Sequence, residues 1–171
     1  MPSYSPSTIA RIADINYGLR VDTGIIAGAT LSTANPTLTT LFNVVGGRVL
    51  VRQLVGEAIV DLVGAGCLVK FGFTPTGGVQ VDLTAVSLDA GSGDWATGQR
   101  LILGAAIGGT TTFSDIGVSV AKAVDPYILG QVGVGGAIVF HATTAAFTAG
   151  SAKFSIWYVP MDDGSYIEAA L

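Results

Sequence analysis

The sequence predicts an all-β fold: an antiparallel β-sandwich, jelly-roll-like, with little helix and an extended N-terminal arm. Three observations predict it. Short runs rich in Val, Ile, Thr and aromatic residues recur along the 171 residues, and 24 Gly and 6 Pro punctuate them. The strand–helix alternation of an α/β fold is missing. The length suits one domain with a sizeable core.

The arm comes first. Met1–Thr8 is rich in Ser and Pro, Ile9–Ile15 suits a short helical turn or an extended segment, and Thr30–Thr40 is a Thr/Ser/Asn/Pro stretch with few large side chains. Such a region buries little by itself and is ordered by what it lies against. Residues 1–40 are therefore expected to be an arm, and residues 41–171 a single β domain.

Within the domain, Arg48–Val60 reads as a strand. It sets Arg48, Leu50 and Arg52 on one face and Val49, Val51 and Gln53 on the other, with Gly56 marking a bulge or bend. Leu68–Phe73 is a short apolar strand, ended by the turn Thr74–Gly78. Val79, Val81 and Leu83 alternate with Gln80, Asp82 and Thr84, the pattern of a half-buried strand running to Leu88. Asp89–Gly98 is a polar loop carrying Trp95. Further strands are expected over Arg100–Leu103, Ile116–Ala121, Tyr127–Val132, Ala137–Ala142 and Lys153–Val159. The step Asp163-Gly164 between Phe154–Val159 and Ser165–Ile167 predicts a hairpin, because Gly accepts the positive φ of a tight turn. Gly-Gly pairs at 46, 77, 108 and 135 have unlike flanking sequences and read as turns, not repeats. Only the N-terminal segment and the region around Pro126 could hold a helix.

Composition bounds the partners. Hydrophobic residues make up 50% of the chain and charged residues 12%, about half the usual charged share of roughly 25%. The uncharged stretches 23–47 and 126–152 reach the roughly 20 residues of a membrane span, but they are laced with Gly, Thr, Asn and Pro and are poor helices. Met1–Ala10 lacks the basic start and apolar run of a signal peptide, and the aromatics do not pair into the girdles of a membrane barrel. No membrane partner is expected. A net charge of −4 and a pI near 4.6 argue against nucleic acid, which demands a basic footprint. A soluble chain of this kind covers its apolar surface with partners, so a homo-oligomer is expected.

Catalytic chemistry is not visible. His141, the one histidine, lies on an apolar strand and reads as a core or interface residue. One His and one Cys cannot supply the usual zinc ligand sets within a subunit. Cys67, in an apolar run, reads as a small buried hydrophobe. Asp162-Asp163-Gly164 reads as a turn, lacking the oxygen array of a calcium site. Asp89, Asp94 and Asp115 are scattered, with no acid–base pair evident, although a hydrolase site with two placed carboxylates stays open. Gly104–Gly109 and Gly130–Gly136 lack the lysine or following helix of a phosphate loop. The expectation is a protein that is not an enzyme and has no cofactor or metal.

Five residues stand out as interface candidates. Arg48 and Arg52 form either an exposed edge face or interface anchors, pairing with carboxylates such as Glu57 or an Asp of a neighbour. Trp157 and Tyr158 are adjacent on a strand, so one faces the core and the other solvent or a partner.

Three features carry a resemblance: the Ser/Pro/Thr-rich lead-in, the run Leu41-Phe42-Asn43-Val44 through Arg48-Val-Leu-Val-Arg52 to Glu57, and the terminal Ile156-Trp157-Tyr158-Val159-Pro160-Met161-Asp162-Asp163-Gly164. On these the chain resembles the capsid decoration, or cement, proteins of tailed bacteriophages. The resemblance implies a trimeric β-sandwich or jelly roll on the outer surface of the virion capsid. Its partner would be the major capsid protein, clamped with help from an extended arm. The alternative is a fibre or spike adhesin module that binds host-surface glycans through Trp95 and the loop Asp89–Gly98.

Overall fold

The computed structural model describes residues 18–31, 37–64, 66–84, 88–89, 95–102, 112–114, 127–143 and 145–171. Two antiparallel sheets pack face to face. The strands are β1 (Leu19–Asp22), β2 (Ile26–Ala27), β3 (Thr37–Val45), β4 (Val49–Val63), β5 (Leu68–Pro75), β6 (Val81–Asp82) and β7 (Leu88–Asp89). They continue as β8 (Arg100–Ile102), β9 (Thr112–Ser114), β10 (Tyr127–Leu129), β11 (Gly136–Thr143), β12 (Ala149–Pro160) and β13 (Tyr166–Ala169). A single helical turn, α1 (Gly28–Leu31), is the one helix among the described residues.

The first sheet runs β1-β12-β4-β8-β9 and the second β13-β3-β11-β5-β6. Early strands pair with late ones in a nested series: β1 with β12, β3 with β11, β4 with β8, β5 with β6. Members of the series alternate between sheets, which is the winding of a jelly roll. The all-β sandwich expected from the sequence is thus the fold, and the pairing order defines its topology.

Alternation builds the core. Along β12, Ala152, Phe154, Ile156 and Tyr158 are buried while the residues between them are half-exposed. Phe71, Trp95, Phe140, Phe147 and Phe154 meet at the centre, where Phe154 and Phe71 lie edge to face with ring centroids 6.1 Å apart. Such pairs add about 0.5–1.5 kcal/mol beyond area burial.

The N-terminal expectation needs correction where the chain is described. Leu19–Asp22 is an edge strand of the first sheet, in register with Tyr158–Ser155, and Ile26 and Leu31 are buried in the core. Thr23 locks this segment to Phe154 by donating its backbone N–H to the Phe154 carbonyl and accepting the Phe154 N–H at its hydroxyl. Residues 37–40 begin β3. These pairings span more than a hundred residues, so no local pattern announces them. Residues 1–17, and the strand expected over Ile116–Ala121, lie outside the described residues.

Three local readings also change. The turn at 161–165 forms, with Gly164 at φ 75° and the Ser165 N–H donating to the Asp162 carbonyl. It does not close a hairpin, because β12 belongs to the first sheet and β13 to the second. Gly56 is neither bulge nor bend: it sits in regular register between Phe154 and Leu101. A Cβ there would come 2.8 Å from Phe154 Cε1 and 3.0 Å from Trp95 Cζ2, so Gly56 makes room for the aromatic cluster. Of the inward row expected in Val79–Leu88, only Leu83 is buried; Val79 and Val81 are exposed beside the short edge strand β6.

A candidate binding face on the first sheet

Of three register irregularities between β4 and β12, one is a bulge at Arg52. Trp157 pairs with Gln53 and Tyr158 with Val51, leaving Arg52 as the extra residue. Val51 and Leu54 point inward, and between them Arg52 is exposed and Gln53 half-buried, so two consecutive side chains face out. The strict alternation expected for Arg48–Gln53 breaks at this point.

Antiparallel partners share a face, which sorts the outer surface of the first sheet into rows. Arg20, Trp157 and Gln53 form the first row, Asp22, Ser155, Val55 and Ile102 the second, and Lys153, Glu57 and Arg100 the third. Arg20 ties the first two together. Its guanidinium lies over the Trp157 ring, 5.0 Å from the centroid, while its Nε donates to Asp22 Oδ1 at 2.9 Å. Asp22 also accepts the Ser155 hydroxyl and lies 3.7 Å from Lys153 Nζ. Burial pushes the Asp22 carboxyl up, but the Ser155 and Arg20 hydrogen bonds and the two cations outweigh it and hold the group below its ordinary value.

The five sequence candidates divide. Arg52, Glu57 and Trp157 come together on this face. Tyr158 does not: it is buried among core residues, which answers which of the adjacent aromatics points inward. Arg48 does not either. It pairs within its own chain, Nη2 lying 2.7 Å from Asp162 Oδ1, with the Arg48 backbone N–H donating to Asp162 Oδ2. Its partner within the chain is Asp162 and not Glu57. The pattern of the sequence missed Arg20, Lys153 and Arg100, because only long-range register brings them beside Trp157.

Trp95 corrects the glycan reading. It is fully buried, its Nε1 donating to the Gln99 carbonyl at 3.1 Å, and it cannot serve as a stacking platform for a sugar. Cys67 is buried as expected. His141 lies on the outer side of the second sheet, opposite Lys70 on β5 and Leu38 on β3. Its ring nitrogens are shut from solvent with no hydrogen-bond partner among the described residues. Burial, and then the nearby Lys70 charge, push its pKa down, with Asp82 opposing.

At one end of the sandwich the turns converge. The Thr76 N–H donates to the Gly135 carbonyl, the Met161 N–H donates to the Arg48 carbonyl, and Tyr166 pairs with Val45. This end exposes Val79 at 85%, Val132 at 71%, and Met161 and Tyr166 at 43% each. An open groove of about 740 Å³ runs between the turns, lined by Asn43, Thr74, Thr76 and Glu168 among others. No group of three or more potential metal ligands occurs among the described residues. No described helix is long and apolar enough to cross a membrane.

Comparison with known proteins gives no match to any family model, curated protein or solved structure.

Proposed function

We propose that this chain is a virion structural protein that acts by binding rather than by catalysis. It forms a homo-oligomer, a trimer by the resemblance, and stabilises an assembled capsid from the outer surface, with the major capsid protein as partner and neither nucleic acid nor membrane involved. The observation that carries the binding half is the turn end, where Val79, Val132, Met161 and Tyr166 are each exposed. Large apolar side chains left exposed at one end of a chain with 12% charged residues are stabilised by contact with another subunit. Support for the shell as partner comes from the sequence resemblance, and the jelly roll is a fold that capsid proteins use, among other classes.

A ligand that binds only the assembled shell stabilises it by mass action, by about 2.7 kcal/mol at a hundredfold excess over Kd. Purified protein added to tailed-phage capsids lacking a decoration protein should raise their disruption temperature in a saturable way. An unchanged disruption temperature at saturating protein contradicts the proposal.

A further inference from the structure

We infer that the outer face of the first sheet docks an acidic protein surface on a different chain. This rests on the binding role proposed above and names the partner's chemistry. The face gathers four of the six described cations: Arg20, Arg52, Arg100 and Lys153. Three carboxylates share it, Asp22, Glu57 and, further along β4, Asp61, so it carries +1. The other described residues, with two cations (Arg48 and Lys70) against five carboxylates (Asp82, Asp89, Asp162, Asp163 and Glu168), carry −3. Charge is segregated, and the segregated face is the one with a half-buried Trp.

Each component suits a protein carboxylate. Arg presents a planar fork that binds carboxylates bidentately, and Arg and Trp are the residue types most enriched at binding hot spots. Asp22 holds Arg20 and, more distantly, Lys153, and so orders two of the cations before any partner arrives. Arg20 already covers the Trp157 ring, so a sugar stacking there would have to displace it. Two copies meeting through this face would oppose like net charge, +1 against +1, and arginine against arginine, which disfavours a symmetric self-contact. A polyphosphate chain would run over Asp22 and Glu57 and be repelled, whereas a protein surface can place its carboxylates between them.

The test uses the full chain, with poly-L-glutamate as the acidic probe, calorimetry as the readout and melting curves as the control for folding. Wild-type protein should bind saturably at about 50 mM salt and lose binding by about 300 mM, as screening shortens to several ångströms. The exposed pair Arg52→Glu and Arg100→Glu should weaken binding by about tenfold or more. The neutral pair Arg52→Gln and Arg100→Gln should do so less, and Lys70→Ala on the other sheet should change nothing. The inference is overturned if the wild type does not bind, if Lys70→Ala weakens binding equally, or if single-stranded DNA of matched charge binds as tightly. Capsid stabilisation read on the same variants separates the two claims. Stabilisation undiminished in Arg52→Glu/Arg100→Glu refutes the acidic partner and leaves the binding role standing. Absence of stabilisation by the wild type removes the role itself.

Discussion

Arg48 and Asp162 form a bidentate clamp at the turn end of the sandwich, Arg48 Nε and Nη2 both donating to Asp162 Oδ1, at 3.1 and 2.7 Å. The clamp joins the turn entering β4 to the turn leaving β12, and the backbone N–H of Arg48 adds a third donor. It fixes the place where the chain crosses from one sheet to the other.

The Arg48 guanidinium and backbone N–H hold the Asp162 carboxyl below the ordinary carboxylate range. A lowered carboxyl pKa means that the unfolded chain takes up the proton first. The clamp's contribution is therefore complete above that range and lost as pH falls through the folded pKa. Asp162→Asn should melt below the wild type at pH 7, and the gap should narrow in melts taken below about pH 3.8. A gap of constant size down to about pH 2 would show that the charge is not what Asp162 contributes.

Gly56→Ala should cost about 1–3 kcal/mol in urea unfolding, because the added methyl meets two aromatic rings. Trp95→Ala should cost about 3–5 kcal/mol, as a buried aromatic truncation. A Trp95→Ala protein of wild-type stability would place Trp95 outside the core and restore its candidacy as a ligand platform.

Trp157 and Tyr158 are neighbours with different expected costs. Tyr158→Ala empties a core position and should cost about 3–5 kcal/mol. Trp157→Ala removes an outward, half-buried ring and should cost about 1 kcal/mol. Paired denaturation curves decide this, and equal costs would mean that the outer face is covered within the monomer.

His141 gives a second pH dependence at higher pH. Its pKa is lowered, chiefly by burial and then by Lys70, so below 6.5 the unfolded state binds protons that the folded state refuses. Stability should fall as pH drops below 6.5, down to the folded pKa, and His141→Leu should flatten that part of the profile. Melting temperatures between pH 7.5 and about 5 test it; an identical slope in the variant assigns the effect elsewhere.

What the sequence made legible was local. The strands expected over Lys153–Val159 and Ala137–Ala142, and the Gly-bearing turns at 46, 77 and 164, reappear in the structure because β-rich composition and positive φ are encoded by neighbouring residues. What it hid was register. Nothing within Leu19–Asp22 says that it pairs with Ser155–Tyr158, so a sheet edge read as an arm. The bulge at Arg52 shifts Gln53–Ala58 by one position against β12, and it is visible only against that strand. Asp163-Gly164 encodes a turn but not whether the chain returns to its own sheet. The binding face was half legible for the same reason: Arg52, Glu57 and Trp157 stand out by type, while Arg20, Lys153 and Arg100 join them by pairing alone.

The proposed binding role requires that other subunits cover this sandwich, beginning with its own copies at the turn end. Sedimentation equilibrium of the full chain at micromolar concentration tests it most directly, with Val79→Asp/Val132→Asp as the comparison. The wild type should sediment at an integral multiple of the 17.3 kDa monomer mass, and the variant should dissociate toward the monomer. A wild-type chain that sediments as a monomer across that range would contradict that requirement.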